Sequence, residues 1–96
     1  MKVKSLFEFK FSDDTIEEGL TLAKGIGNDM PPLDGYVSHE VVQDVKDPNH
    51  LMVNTLWDDQ KKAEAVLSKY NNDDKIKLAS KLLNNNGPTG FIGKIL

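Results

Sequence analysis

Residues 2–11, KVKSLFEFKF, alternate without a break. Val3, Ser5, Phe7, Phe9 and Phe11 fall on one side of an extended chain, and Lys2, Lys4, Leu6, Glu8 and Lys10 on the other. Three phenylalanines at a period of two leave water together only on a β-strand with one buried face. The rest of the chain must therefore lay a covering layer over that face. With 96 residues it does so as one domain, spanning 1–96, because two halves would each be too small to hold a core.

The covering layer is legible downstream. Ser12, Asp13 and Asp14 are N-cap residue types, and Asp14 with Glu17 has capping-box spacing. Ile16, Leu20 and Ala23 then recur at helical spacing, predicting an amphipathic helix to about Lys24 that Gly25 and Gly27 fray or end. MPPLDG (30–35) is a turn in which Asp-Gly permits positive φ. GYVSHEVVQDV (35–45) and HLMVNTLW (50–57) read as strands joined by a KDPN hairpin loop. Asp58 or Asp59 caps a helix carrying Ala63, Val66, Leu67 and Tyr70. Asn71 to Asp74 interrupt it, and Ile76, Ala79, Leu82 and Leu83 form a second short stripe. NNNGPTG (84–90) is a breaker, and GFIGKIL (90–96) a last strand.

The order βαββαβ is the α+β, ferredoxin-like plan: a four-stranded antiparallel sheet with its helices on one face. The third and fourth strands are apolar on both sides: Met52, Leu56, Ile92 and Leu96 alternate with Leu51, Val53, Phe91 and Ile95. An uncovered apolar sheet face calls for a partner, and a second copy packed sheet to sheet is the simplest cover.

Composition narrows the function classes. There is no cysteine, which removes disulfides, thiolate metal sites and a cysteine nucleophile. The net charge of −3 lacks the basic footprint of a nucleic-acid binder, and no apolar run approaches the length of a membrane span. Lysines interrupt the N-terminal stretch where a signal peptide would be continuously apolar. A soluble cytoplasmic protein with no segment to remove is expected. The acidic clusters DD, NNDD and KDPN read as caps and turns rather than a cation loop, and Gly25-Ile26-Gly27 ends a helix where a dinucleotide fingerprint would open one. Neither metal nor cofactor is expected.

The aromatic strand LFEFKF, the hairpin GYVSHEVVQDVKDPNHLMVNTLW and the strand-ending Trp57 before DDQKKAEAVL resemble antibiotic biosynthesis monooxygenase-like domains of the dimeric α/β-barrel superfamily, over nearly the whole chain. The resemblance implies a homodimer built through its sheets and a small-molecule pocket between sheet and helices in each protomer. Some oxygenases of that family place an asparagine and a tryptophan on the third strand at even spacing. Here Asn54 and Trp57 are three apart, so a regular strand sends them to opposite faces. The haem-degrading branch carries a first-strand asparagine and a histidine in the helix after the tryptophan, and neither is present.

A four-residue KDPN loop would set Val45 opposite His50, Val41 opposite Asn54 and His39 opposite Leu56. With Trp57 turned to the helices as the resemblance implies, Tyr36, Glu40, Val42, Leu51 and Val53 go with it. His39, Met52, Asn54 and Leu56 then face a second subunit. Phe7, Phe9, Tyr36, Val53, Trp57 and Tyr70 are the expected lining of a site for a small aromatic ligand. His39 is the candidate catalytic base, and it reaches the side of Trp57 only through a register shift or a bulge. His50, at a strand start beside a loop, is expected to be solvated. Two functions are carried forward. One is a cofactor-independent monooxygenase-like protein acting on a small aromatic or quinol-type molecule; the alternative is a non-enzymatic dimeric module that binds a small ligand or a partner.

Overall fold

The structure, a computed structural model, describes residues 2–70, 72–84 and 87–96. The elements are β1 (Val3–Lys10), α1 (Ile16–Asn28), β2 (Tyr36–Gln43), β3 (His50–Trp57), α2 (Gln60–Tyr70), α3 (Asp74–Leu82) and β4 (Thr89–Lys94). The four strands form one antiparallel sheet in the order β2-β3-β1-β4. The βαββαβ plan is thus present, with the second helical segment split in two. Asp73 caps the second piece, its carboxylate accepting the Lys75 backbone N–H at 2.8 Å. The breaks expected at Asn71 and within 84–90 fall partly on Asn71, Asn85 and Asn86, which lie outside the described residues.

Strand β1 behaves as its alternation requires. Val3, Ser5, Phe7, Phe9 and Phe11 are buried beneath the helices, joined by Leu51, Val53, Thr55 and Trp57 from β3. Burying each large apolar side chain contributes roughly 1.5–3 kcal/mol. Trp57 is 0% exposed, and its indole N–H donates to the Ser5 hydroxyl 3.0 Å away. The serine in the phenylalanine row therefore satisfies a polar group that the core would otherwise strand.

Helix α1 runs to Asn28, four residues past the expected end at Lys24. Its glycines do not break it, because tertiary contact outweighs their weak propensity. Gly27 is needed for close approach: a Cβ there would stand 2.8 Å from Val41 Cγ2 and 3.1 Å from His39 Cδ2. The Asp-Gly turn is as read, with Gly35 at φ +90°. The N-terminal capping box does not form. Thr15 is the N-cap residue and makes no side-chain cap, while the Ser12 carbonyl takes the Thr15 and Ile16 N–H groups.

The hairpin register differs from expectation by one residue. Val41 pairs with Val53, Glu40 with Asn54 and His39 with Thr55. The loop is five residues long, because the Asp44 N–H bonds the His50 carbonyl at 2.9 Å. Two Asx turns close it: the Asp44 carboxylate accepts the Lys46 N–H at 2.8 Å, and the Asp47 carboxylate accepts the Asn49 N–H at 3.1 Å. Val45 is left fully in solvent. A second irregularity lies between Tyr36, which pairs with Trp57, and Ser38, which pairs with Leu56; Val37 is the extra residue of a bulge on β2. The shifted hairpin register puts His39 opposite Thr55 on the helix side of the sheet, not on the open side, and the bulge returns Tyr36 to that side. Glu40 and Val42, expected beside Trp57, lie on the open side and are exposed, so no carboxylate enters the core. Ile92 pairs with Ser5 on the helix side, and Phe91 pairs with Leu6 on the open side.

Replacing Ser5 by alanine leaves the Trp57 N–H unpaired in the core. Urea unfolding of Ser5→Ala is expected to show a loss of about 1–3 kcal/mol, and a loss indistinguishable from zero would mean that the hydrogen bond contributes nothing to the fold.

Candidate functional site

The Val37 bulge brings Tyr36 and His39 together. In a regular strand, residues three apart point to opposite faces; the extra residue restores them to one. The Tyr36 hydroxyl and His39 Nδ1 are 2.7 Å apart. The Tyr36 ring stands edge-on to Trp57 with centroids 6.5 Å apart, and tilts against the His39 ring at 5.7 Å. Gly27 of α1 packs over the imidazole edge, so the helix meets His39 with backbone rather than a side chain. Tyr36 and His39 are both half-buried on the edge strand β2. The arrangement sets a phenol and an imidazole in hydrogen-bond contact, backed by an enclosed indole.

The other expected ligand residues do not converge on this pair. Phe9 and Val53 are core residues, each 1% exposed, and Phe9 stacks on Phe11. Trp57 is sealed behind Tyr36 and cannot itself wall an open pocket. Phe7 lines a cleft of about 290 Å³ with Leu67, Ile76, Ser80 and the chain at Gly87–Gly90. Tyr70 lines a different cleft of about 270 Å³, beside Asp29, Leu33 and Val66. A third depression, about 650 Å³, is an apolar groove between α1 and α3 around Leu22, Gly25 and Leu78, rimmed by Glu17, Glu18 and Lys75.

Asp29, Tyr70 and Lys75 form a polar cluster that the sequence does not reveal. The Tyr70 hydroxyl donates to Asp29 Oδ2 at 2.7 Å, and the Lys75 ammonium donates to the same oxygen. The pairing ties the ends of α1 and α2 to the start of α3. Lys75, and then Tyr70, hold the Asp29 carboxyl below the usual carboxylate range. Burial, and then Asp29, push the Tyr70 phenol up. These partners are 41 and 46 residues apart in the chain, beyond the reach of any local spacing rule.

On the open side of the sheet, Met52, Asn54 and Leu56 are half-buried, flanked by Leu6, Val42 and Phe91. Val42 is 41% and Phe91 63% exposed, so this face carries an apolar patch. Asn54 points away from Trp57, as its spacing predicts. His50 is bonded rather than freely solvated: Nδ1 lies 3.1 Å from Asp44 Oδ2 and Nε2 3.2 Å from Glu8 Oε1. No group of three or more potential metal ligands occurs among the described residues, and no described helix is long and apolar enough to cross a membrane.

No family profile matches the chain, and no curated protein matches it. Solved structures do. A candidate antibiotic biosynthesis monooxygenase from Deinococcus radiodurans superposes with a TM-score of 0.84 at 20% identity, covering 98% of this chain and 92% of that one. A second, from Chloroflexus aurantiacus, gives 0.72 at 18% identity over 100% and 94%. A candidate monooxygenase from Shewanella loihica gives 0.71 at 14% identity over 99% and 94%. The chain therefore has the α+β fold of antibiotic biosynthesis monooxygenase-like structures over nearly its whole length.

The Asp29 cluster gives a pH prediction. A depressed carboxyl stabilises the fold above its unfolded value near 3.8, and that contribution is lost as pH falls through the lower folded value. The Lys75 and Asp29 side chains are 38% and 41% exposed, so the gain at neutral pH is about 1 kcal/mol at most. Asp29→Asn is expected to lower the melting temperature at neutral pH by a few degrees and to narrow its gap from the native chain in acid. A gap of constant size from neutral to acid would show that the Asp29 charge does not contribute.

Proposed function

We propose that the chain is a cofactor-independent monooxygenase-like protein acting on a small aromatic or quinol-type molecule, with Tyr36 and His39 as its acid–base pair. The observation that carries this reading is the 2.7 Å contact between the two side chains on the Trp57 side of the sheet. The fold shared with candidate monooxygenases supports the reaction class. With Nδ1–H donating to the Tyr36 oxygen, Nε2 of His39 carries the free lone pair. It takes the hydroxyl proton of a phenol, or the acidic carbon-bound proton of its keto form. The resulting anion passes one electron to dioxygen; superoxide and the substrate radical then combine into a carbon–oxygen bond. Proton return gives a hydroperoxide, which loses water to leave a new carbonyl. One dioxygen yields one carbonyl oxygen and one water, so no external reductant enters. Tyr36 orients the imidazole, and the sealed Trp57 holds Tyr36 in place.

In the same reading the protein is a homodimer in the cytoplasm. A second copy covers the apolar open face around Leu6, Met52, Leu56 and Phe91, with Asn54 among them.

A second reading is favoured by a separate observation. The interior around Trp57 is closed, and neither Tyr36 nor His39 lines the apolar groove of about 650 Å³ between α1 and α3. That arrangement suits a non-enzymatic module binding a small apolar ligand.

Oxygen uptake with a panel of hydroquinones and anthrones separates the two. Turnover is expected, falling about 10²-fold or more in His39→Gln and less in Tyr36→Phe. Uptake at the uncatalysed rate, or unchanged in His39→Gln, rejects the enzyme; thermal stabilisation by such compounds without product then supports the binding module.

A further inference from the structure

We propose that His50 makes self-association through the open sheet face pH-dependent, its imidazole acting as the counter-charge that lets a second copy cover Glu8. This rests on the dimer reading above. Glu8 stands between Met52 and Thr89 across the strands, on the same side as Leu6. Leu6, Glu8, Met52, Thr89, Gly90 and Phe91 enclose a shallow depression of about 130 Å³. A copy seated on this apolar patch takes the Glu8 carboxylate partly out of water, which is unfavourable unless an opposite charge goes with it.

His50 supplies that charge. Its two ring nitrogens each face a carboxylate oxygen, Glu8 at 3.2 Å and Asp44 at 3.1 Å. Only the imidazolium donates from both nitrogens at once. The other charged groups nearby are Lys10, Lys46, Lys4 and Glu40. Lys10, paired with His50 across the strands, reaches Asp47 of the hairpin loop at 3.5 Å. Lys46 meets Asp44 through its backbone N–H. Lys4 and Glu40 lie farther along the face, opposite Leu56 and Asn54. Asp44, and then Glu8, hold the imidazole above its ordinary value, and the Lys46 N–H, then His50, hold Asp44 below its own.

The sign follows from the charges. With His50 protonated, the cluster of Glu8, Asp44 and His50 carries one net negative charge; with it neutral, two. A two-fold dimer brings two such clusters to one interface. Association therefore tightens as pH falls through the raised value of His50, and weakens as pH rises through it. Further acidification into the carboxylate range removes the anions and ends the effect.

Sedimentation equilibrium on the full chain, with native protein, His50→Gln and Glu8→Gln, tests this. The native dissociation constant is expected to be about tenfold or more lower near about pH 6 than near about pH 8.5. His50→Gln should be weak at both values, and its flat profile separates His50 from the other histidine, His39. Glu8→Gln, altered at an exposed side chain, should be tight at both. A native dimer of equal strength at both pH values, or a full pH response retained in His50→Gln, overturns the inference while leaving the dimer intact. A monomer at every pH and concentration overturns the dimer reading and this inference with it.

Discussion

Val37 has no partner on β3, and that single unpaired residue puts Tyr36 on the enclosed side of the sheet with His39 and Trp57. Beyond the bulge, Tyr36 pairs with Trp57; before it, His39 pairs with Thr55 and Val41 with Val53. All three β2 side chains then turn to the helices, and Glu40 is expelled to solvent. An unbulged β2 in this register would send Tyr36 to the open side and separate it from His39. The hydrogen bond between them and the edge contact of Tyr36 with Trp57 follow from the bulge, while the seat of His39 and Val41 under Gly27 follows from the hairpin register. The hairpin loop sets the same parity from the other end, through the Asx turns at Asp44 and Asp47.

The two sides of the sheet face opposite physical demands. The helix side holds the buried core, with the indole N–H of Trp57 satisfied by Ser5. Among the described residues no buried side-chain polar atom is left without a partner. The open side mixes Leu6, Met52, Leu56 and Phe91 with Lys4, Glu8, Glu40 and Asn54. Such a surface is too apolar to be ideal in water and too charged to be covered indifferently.

Much of this was legible in the sequence because the signals were periodic and local. The phenylalanine row of β1, the stripes of the three helices and the opposed placement of Asn54 and Trp57 are period arguments, and the structure agrees with them. The register of β2 was not legible because Val37, Val41, Val42 and Val45 put valines on both sides of the strand and give no parity signal. Loop length depended on side-chain capping by Asp44 and Asp47, which a four-residue KDPN loop does not use. Helix α1 passes through Gly25 and Gly27 because the sheet, not propensity, sets its end. Of the candidate site residues, Phe7, Phe9, Tyr36, Val53 and Trp57 all fall on the expected helix side, but Phe9 and Val53 are core and Phe7 and Tyr70 line two separate clefts. The cluster of Asp29, Tyr70 and Lys75 is assembled by chain folding alone.

The side of the sheet on which His39 lies is the claim from which the functional account proceeds. Nuclear Overhauser contacts from the His39 ring protons test it most directly. The account predicts cross-peaks to the Gly27 α-protons, to a Val41 methyl and to the Tyr36 ring. Cross-peaks to Met52 or Leu56 in their place would put His39 on the open face and contradict it.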